Sequence, residues 1–149
     1  MRILVDADAC PVKDEIIGVA KKHQLKVLYF VDVNHQLKSD YADIFVVDQG
    51  ADSVDLALIN QMEAHDIVVS QDYGVASLAI AKAGYALLPS GKELHKDNID
   101  MHMFERHISR EERKRGRRGS RHKKRTMNDN ERFEASLEFI INKYKKLEK

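Results

Sequence analysis

Across the first 90 positions, short apolar runs alternate with longer stretches in which apolar residues recur every three or four places. The first run, Ile3-Leu4-Val5, is apolar at successive positions, as a strand covered on both faces must be, and predicts a central strand of a parallel sheet. Asp6 and Asp8 end it. Pro11 then suits the first turn of a helix in which Val12, Ile16, Val19 and Ala20 keep helical spacing up to His23. Residues 25–33 are rich in β-formers and predict a second strand ending near Asp32, followed by a polar loop over 34–43. Ile44-Phe45-Val46-Val47 is a third strand, and Asp48-Gln49-Gly50 turns out of it. Asp52 or Ser53 can cap the next helix, whose apolar positions are taken as Val54, Leu56, Ala57, Ile59 and Met62. Ile67-Val68-Val69 is a fourth strand leading into Ser70-Gln71-Asp72. A helix over 73–83 with Gly84 as its C-cap precedes a fifth strand over 85–88, which Pro89-Ser90-Gly91 stops.

Strands alternating with helices of this length imply βαβ crossovers, and so a three-layer α/β/α fold around a mostly parallel sheet of about five strands. Beyond Gly91 the pattern weakens. A helix over 99–108 is expected to pack on the body through Met101, Met103 and Phe104. Residues 110–125 show no apolar stripe and are expected to be mobile without a partner. A last helix from Asp129 carries Phe133, Leu137, Ile140, Ile141 and Tyr144 on one side. The 149 residues suit an α/β domain over 1–109 with a basic segment and C-terminal helix over 110–149 packing on the same domain.

Charge changes this picture more than composition does. Residues 1–100 hold 9 basic and 16 acidic side chains, a net −7, whereas residues 101–149 hold 16 and 8, a net +8. An acidic body with a basic extension suits two parts acting on one polyanionic ligand. Cys10 is the only cysteine, which excludes a disulfide within the chain and a Cys-based zinc cluster. No apolar run approaches the ~20 residues of a membrane span. The N-terminus enters a strand without the features of a signal peptide, so a cytoplasmic protein with no membrane partner is expected.

The candidate chemistry lies in the acids. Asp6 and Asp8 end the first strand, Asp72 follows the fourth, and Asp52 and Asp55 open the helix after the third. In doubly wound sheets the first and fourth strands commonly meet at the switch point where ligands bind, which would bring Asp6 and Asp72 together with Asp55 aimed at the same rim. Carboxylates gathered there repel one another unless a hard cation such as Mg²⁺ or Mn²⁺ binds them. Such a metal activates water and offsets charge developing on a phosphodiester. The plainer reading makes a single Asp a cap; Asp52 is open to it, and Asp32, Asp43 and Asp48 are read as turn or loop residues. Lys13 either steadies a phosphate at a helix start or is simply solvated, and Cys10 reads as a small buried thiol rather than a nucleophile. Gln49 and Gln71 flank the acids and could orient water. The seven histidines show no metal-ligand spacing.

Val-Asp-Ala-Asp-Ala-Cys-Pro-Val-Lys at 5–13, Asp-Gln-Gly-Ala-Asp-Ser-Val-Asp-Leu-Ala-Leu at 48–58, Asp-Ile-Val-Val-Ser-Gln-Asp-Tyr-Gly-Val-Ala-Ser-Leu-Ala at 66–79 and Arg-Thr-Met-Asn-Asp-Asn-Glu-Arg-Phe at 125–133 resemble the bacterial YaiI/YqxD family. That family is similar to PIN-like nuclease domains. The resemblance implies a PIN-like sheet and metal ligands Asp6, Asp55 and Asp72, with Ser70 supporting and Asp8 as a fourth carboxylate. Asp52 and Lys13 are placed with the supporting residues. The implied activity is metal-dependent phosphodiester hydrolysis, with RNA the expected substrate and Mg²⁺ or Mn²⁺ the cofactor. Arg113, Lys114, Arg115, Arg117, Arg118, Arg121, Lys123, Lys124 and Arg125 are the expected nucleic-acid contacts. Two readings compete with the nuclease. One is a non-catalytic RNA-binding module. The other, suggested by Asp6-Ala7-Asp8, is a phosphatase of the haloacid-dehalogenase type, in which Asp6 is phosphorylated and Asp8 is the acid/base.

Overall fold

A computed structural model describes residues 1–48, 53–116 and 124–147. Its elements are β1 (Arg2–Asp6), α1 (Lys13–His23), β2 (Lys26–Asp32), β3 (Asp43–Val47), α2 (Ser53–Gln61), β4 (Ile67–Val69), α3 (Tyr73–Ala81), β5 (Tyr85–Leu87), β6 (Glu93–Leu94), α4 (Ile99–Lys114) and α5 (Met127–Leu147). They form one sheet of order β3-β2-β1-β4-β5-β6, in which the first five strands are parallel and β6 runs antiparallel to β5. The fold is a three-layer α/β/α arrangement, as the alternation of elements implies. β6 adds an edge strand, too short at two residues to leave a period in the sequence.

Side-chain alternation sorts the core into layers. Ile3 and Val5 of β1, Val27, Tyr29 and Val31 of β2, and Ile67 and Val69 of β4 face α1 and α5. Leu4, Leu28, Phe30 and Val68 face the other way, onto Leu58, Met62, Val75 and Ala79. Phe133, Leu137, Ile140 and Ile141 of α5 are buried in the same cluster as Ile16, Val19 and Ala20 of α1, so the C-terminal helix completes the body. Fully burying each of the valine, leucine, isoleucine and phenylalanine side chains contributes roughly 1.5–3 kcal/mol. At the amino ends of the strands, the Arg2 guanidinium meets the buried Asp66 carboxylate at 2.6 Å, and Asp66 also accepts from the backbone N–H groups of Arg2 and Glu63. This ties β1 to the turn before β4 and fixes their register.

Several local expectations are corrected. In α2, Leu58 rather than Leu56 is the core residue: Leu58 is fully buried and Leu56 is 58% exposed. A predominantly apolar helix has no polar face to mark its inward side. The α3 terminus is closed by Ala83, not Gly84. Ala83 takes the left-handed conformation (φ 63°), with Gly84 N–H donating to the Ala79 carbonyl and Ala83 N–H to that of Ile80, a Schellman closure. Gly84 is required for space: an added Cβ would lie 3.0 Å from the Asp66 carbonyl oxygen and 3.2 Å from that of Ala79. Gln24 ends α1 in the same way, at φ 58°. The helix after residue 98 runs on to Lys114, so residues 110–114 are helical rather than irregular. It does not pack through Met101, Met103 and Phe104. Ile99 is its buried residue, whereas Met101 and Phe104 are more than half exposed. α5 starts at Met127, its entry held by the Asp129 carboxylate, which accepts from the backbone N–H and hydroxyl of Thr126.

Candidate functional site

β1 and β4 are parallel neighbours, with Ile3 opposite Ile67 and Val5 opposite Val69, so their carboxyl ends open side by side where strand order reverses. Asp6 is the last residue of β1, and Ser70-Gln71-Asp72 leave β4 beside it. The buried Ser70 joins the two acids. Its hydroxyl donates to Asp6 Oδ2 at 3.3 Å and accepts from the Asp72 backbone N–H at 3.0 Å. Asp72 is the N-cap of α3, with Oδ1 accepting from the N–H groups of Gly74 at 2.7 Å and Val75 at 3.2 Å. An added Cβ on Gly74 would stand 3.0 Å from that same Oδ1. The carboxylate orientation is therefore held by hydrogen bonds and by the room that glycine leaves.

Burial pushes the Asp6 carboxyl above its usual range. The Ser70 hydroxyl opposes the shift, and the nearby charges of Asp8 and Asp72 add to it. Asp6 Oδ1 and Asp72 Oδ2 accept no hydrogen bond among the described residues. Each acid thus keeps one oxygen for a ligand. Two carboxylates completed by water suit Mg²⁺, which is usually held by one or two carboxylates, and the unrelieved charge on Asp6 is what a cation would offset. These are two of the four carboxylates that the resemblance implies as metal ligands. Among the described residues, no group of three Asp, Glu, His or Cys side chains is placed to hold an ion.

Opposite the acids stands a basic wall. A cavity of about 330 Å³ has Asp6 and Asp72 on one side and Met103, Arg106, His107 and Arg110 of α4 on the other. Those four residues are spaced i, i+3, i+4, i+7, one face of a helix. Arg106 is fixed there, its Nη1 donating to the Gln71 carbonyl at 3.2 Å and its guanidinium lying 5.2 Å from the centre of the Tyr73 ring. Arg106, His107 and Arg110 are not among the expected nucleic-acid contacts, which start at Arg113. Their helical spacing was the available signal, obscured by the expectation of a helix packed through its methionines.

The other candidates are placed elsewhere. Both oxygens of Asp8 accept from the Asp32 backbone N–H, at 2.9 and 3.2 Å, and Oδ1 lies 3.3 Å from His35 Nδ1. Asp8 thereby anchors the loop after β1 to the end of β2 and does not line the cavity. Asp55 stands in the first turn of α2 and does not line it either. Lys13 Nζ donates to the carbonyls of Ala7 and Cys10, closing the turn that follows Asp6. Cys10 is buried, and burial pushes its thiol up, away from the thiolate form a nucleophile needs. Arg125 is built into the body, donating from Nε to Asn130 Oδ1 and from Nη2 to the Pro89 carbonyl, both at 2.7 Å. Arg113 donates to the Ser109 carbonyl, Lys114 pairs with Glu111, and Arg115 and Lys124 are exposed. Gln49, Asp52, Arg117, Arg118, Arg121 and Lys123 lie outside the described residues.

Comparison with known proteins comes to one family. The model described as "Uncharacterized BCR, YaiI/YqxD family" matches residues 4–143. A UPF0178 protein of Lachnoclostridium phytofermentans is 49% identical over 144 residues, covering 95% of this chain and 97% of its own. UPF0178 proteins of Clostridium novyi and Natranaerobius thermophilus are 44% and 43% identical, the first covering 97% of each chain and the second 95% of this chain and 96% of its own. No solved structure matches the chain.

Proposed function

The chain belongs to the YaiI/YqxD family, and from that premise we propose that it is a metal-dependent phosphodiester hydrolase acting on single-stranded nucleic acid, with RNA the first substrate to test. The observation that carries this reading is the Asp6–Ser70–Asp72 linkage at the carboxyl ends of adjacent strands, facing Arg106, His107 and Arg110 across one cavity. The PIN-like resemblance drawn from the motifs at 5–13 and 66–79 implies the same activity, and of the ligands it implies, Asp6 and Asp72 line the cavity. In this reading Asp6 and Asp72 would hold Mg²⁺ or Mn²⁺, and Ser70 sets their orientation. When bound, the ion makes water a stronger nucleophile and offsets charge on the phosphate. The arginines of α4 neutralise substrate phosphates, which the bare carboxylates would repel. The cytoplasm is the setting this reading implies.

The experiment is cleavage of 5′-labelled single-stranded RNA and DNA of one sequence by the purified protein with Mn²⁺, Mg²⁺ or EDTA. Wild type is expected to cut with metal and not with EDTA. Asp6→Asn should slow cutting by on the order of a hundredfold, as when a group acting on transition-state charge is removed. Cutting that persists in Asp6→Asn would refute the reading. That only two carboxylates of the described residues line the cavity favours a second reading, a module that binds RNA without cleaving it. Tight binding with no turnover in any metal would select it. A phosphatase using Asp8 as its acid is disfavoured, because both Asp8 oxygens already accept from Asp32.

A further inference from the structure

A second cavity, of about 550 Å³, adjoins the acidic one between α4 and the loop after β5. The two share Gln71, Tyr73 and Arg106. The second differs in sign: Arg106, Arg113 and Arg125 line it together with the hydroxyls of Ser90 and Ser109, and no described carboxylate does. Arg106, Ser109 and Arg113 follow one face of α4, at i, i+3 and i+7. Arg125 reaches the cavity from the segment before α5 and is held there by Asn130 and the Pro89 carbonyl. Its guanidinium is therefore a fixed part of the wall rather than a solvated tail. Arginine carries five N–H donors, and Arg106 and Arg113 each commit one to a described hydrogen-bond partner. Most of their donors remain for a ligand. Converging guanidinium groups and hydroxyls without an opposing acid make a site for a phosphate, and Tyr73 at the junction supplies an aromatic group beside it.

We infer that this cavity is a phosphate subsite, which holds the phosphate of the nucleotide next to the bond placed over Asp6 and Asp72. The inference rests on the proposed reading of the acidic crevice as a phosphodiester site and adds to it a requirement for a strand of more than one nucleotide. Arg106 serves both cavities and sets their spacing, whereas Arg113 and Arg125 serve the second alone.

The test is fluorescence anisotropy of labelled oligouridylates of two and eight nucleotides with full-length protein and Ca²⁺, at several salt concentrations. Arg113 is exposed, so Arg113→Gln leaves the core intact, and Lys26→Gln removes an equal charge at the opposite end of the sheet. Arg113→Gln is expected to weaken octamer binding roughly tenfold, as for loss of one charge-assisted contact, and to lower the slope of log K against log salt by about 0.7. Lys26→Gln is expected to match wild type. Equal losses in the two variants, no loss in either, or no octamer binding by wild type would each overturn the inference. Failure of the hydrolase reading looks different: the Arg113 effect is present and no metal supports cleavage. Cleavage whose KM is unchanged by Arg113→Gln would leave the hydrolase standing and remove the subsite.

Discussion

Asp72 carries two roles that substitution can separate. It caps α3 through two backbone N–H bonds, and it presents one carboxylate oxygen to the crevice beside Asp6. Asp72→Ala removes the acceptor for the Gly74 and Val75 N–H groups, a loss worth about 0.5–2 kcal/mol. It also removes a negative charge from a helix N-terminus, worth a further ~0.3–1 kcal/mol, but relieves the repulsion with Asp6. Asp72→Asn keeps an acceptor of the same shape and loses only the charge, so its two electrostatic effects oppose each other. In metal-free buffer with EDTA, Asp72→Asn is expected within about 0.5 kcal/mol of wild type, and Asp72→Ala about 1–2 kcal/mol below it. For a chain of this length that corresponds to a Tm lower by roughly 2–8 °C. Urea and thermal melts of the three proteins measure it. Equal stability of the alanine and asparagine variants would refute the assignment of Asp72 as a cap that stabilises α3.

Two further expectations concern other residues. Because the Asp6 carboxyl is raised mainly by burial, the folded state favours its protonated form. The stability this group provides is complete below the usual carboxylate value of 3.8 and is lost as pH rises through the raised folded value, so the Tm of Asp6→Asn should climb relative to wild type from about pH 4 upward and then level off; a constant difference across that range would be inconsistent with it. Gly84→Ala forces a Cβ against two backbone carbonyl oxygens and the Met62 methyl group, and should cost about 1–3 kcal/mol in urea melts, against no change if the site had room.

How much the sequence revealed depended on what each residue's neighbours were. The strands β1 and β4 were legible as apolar runs ending in polar residues, because the strands of a parallel sheet are buried on both faces; their adjacency, and the meeting of Asp6 with Asp72, came from doubly wound topology, and the part of Ser70 only from the family resemblance. The α5 face of Phe133, Leu137, Ile140 and Ile141 was legible for a similar reason: its outer side is charged. The inward residue of α2 was not, since Leu56 and Leu58 look alike without the sheet beneath them. Asp8 looked equivalent to Asp6 by spacing, and only the position of the β2 end, whose Asp32 N–H it accepts, sets them apart. The α4 wall was hidden by its own amphipathicity. Met101, Phe104 and Ile108 form a stripe that normally marks the buried side, yet they are exposed here, while the side bearing Arg106 and Arg110 lines the crevice. Polar residues that pair across elements, such as Asp66 with Arg2, carry no periodic signal at all.

The most direct measurement is Mn²⁺ binding followed by electron paramagnetic resonance on wild type, Asp6→Asn and Asp72→Asn. If these two acids share one ion at the crevice, wild type should take up Mn²⁺ saturably, either substitution alone should weaken that uptake by at least about tenfold, and the double variant should lose little more than each single one. Uptake by both single variants that matches wild type would contradict the shared site and, with it, the proposed hydrolase.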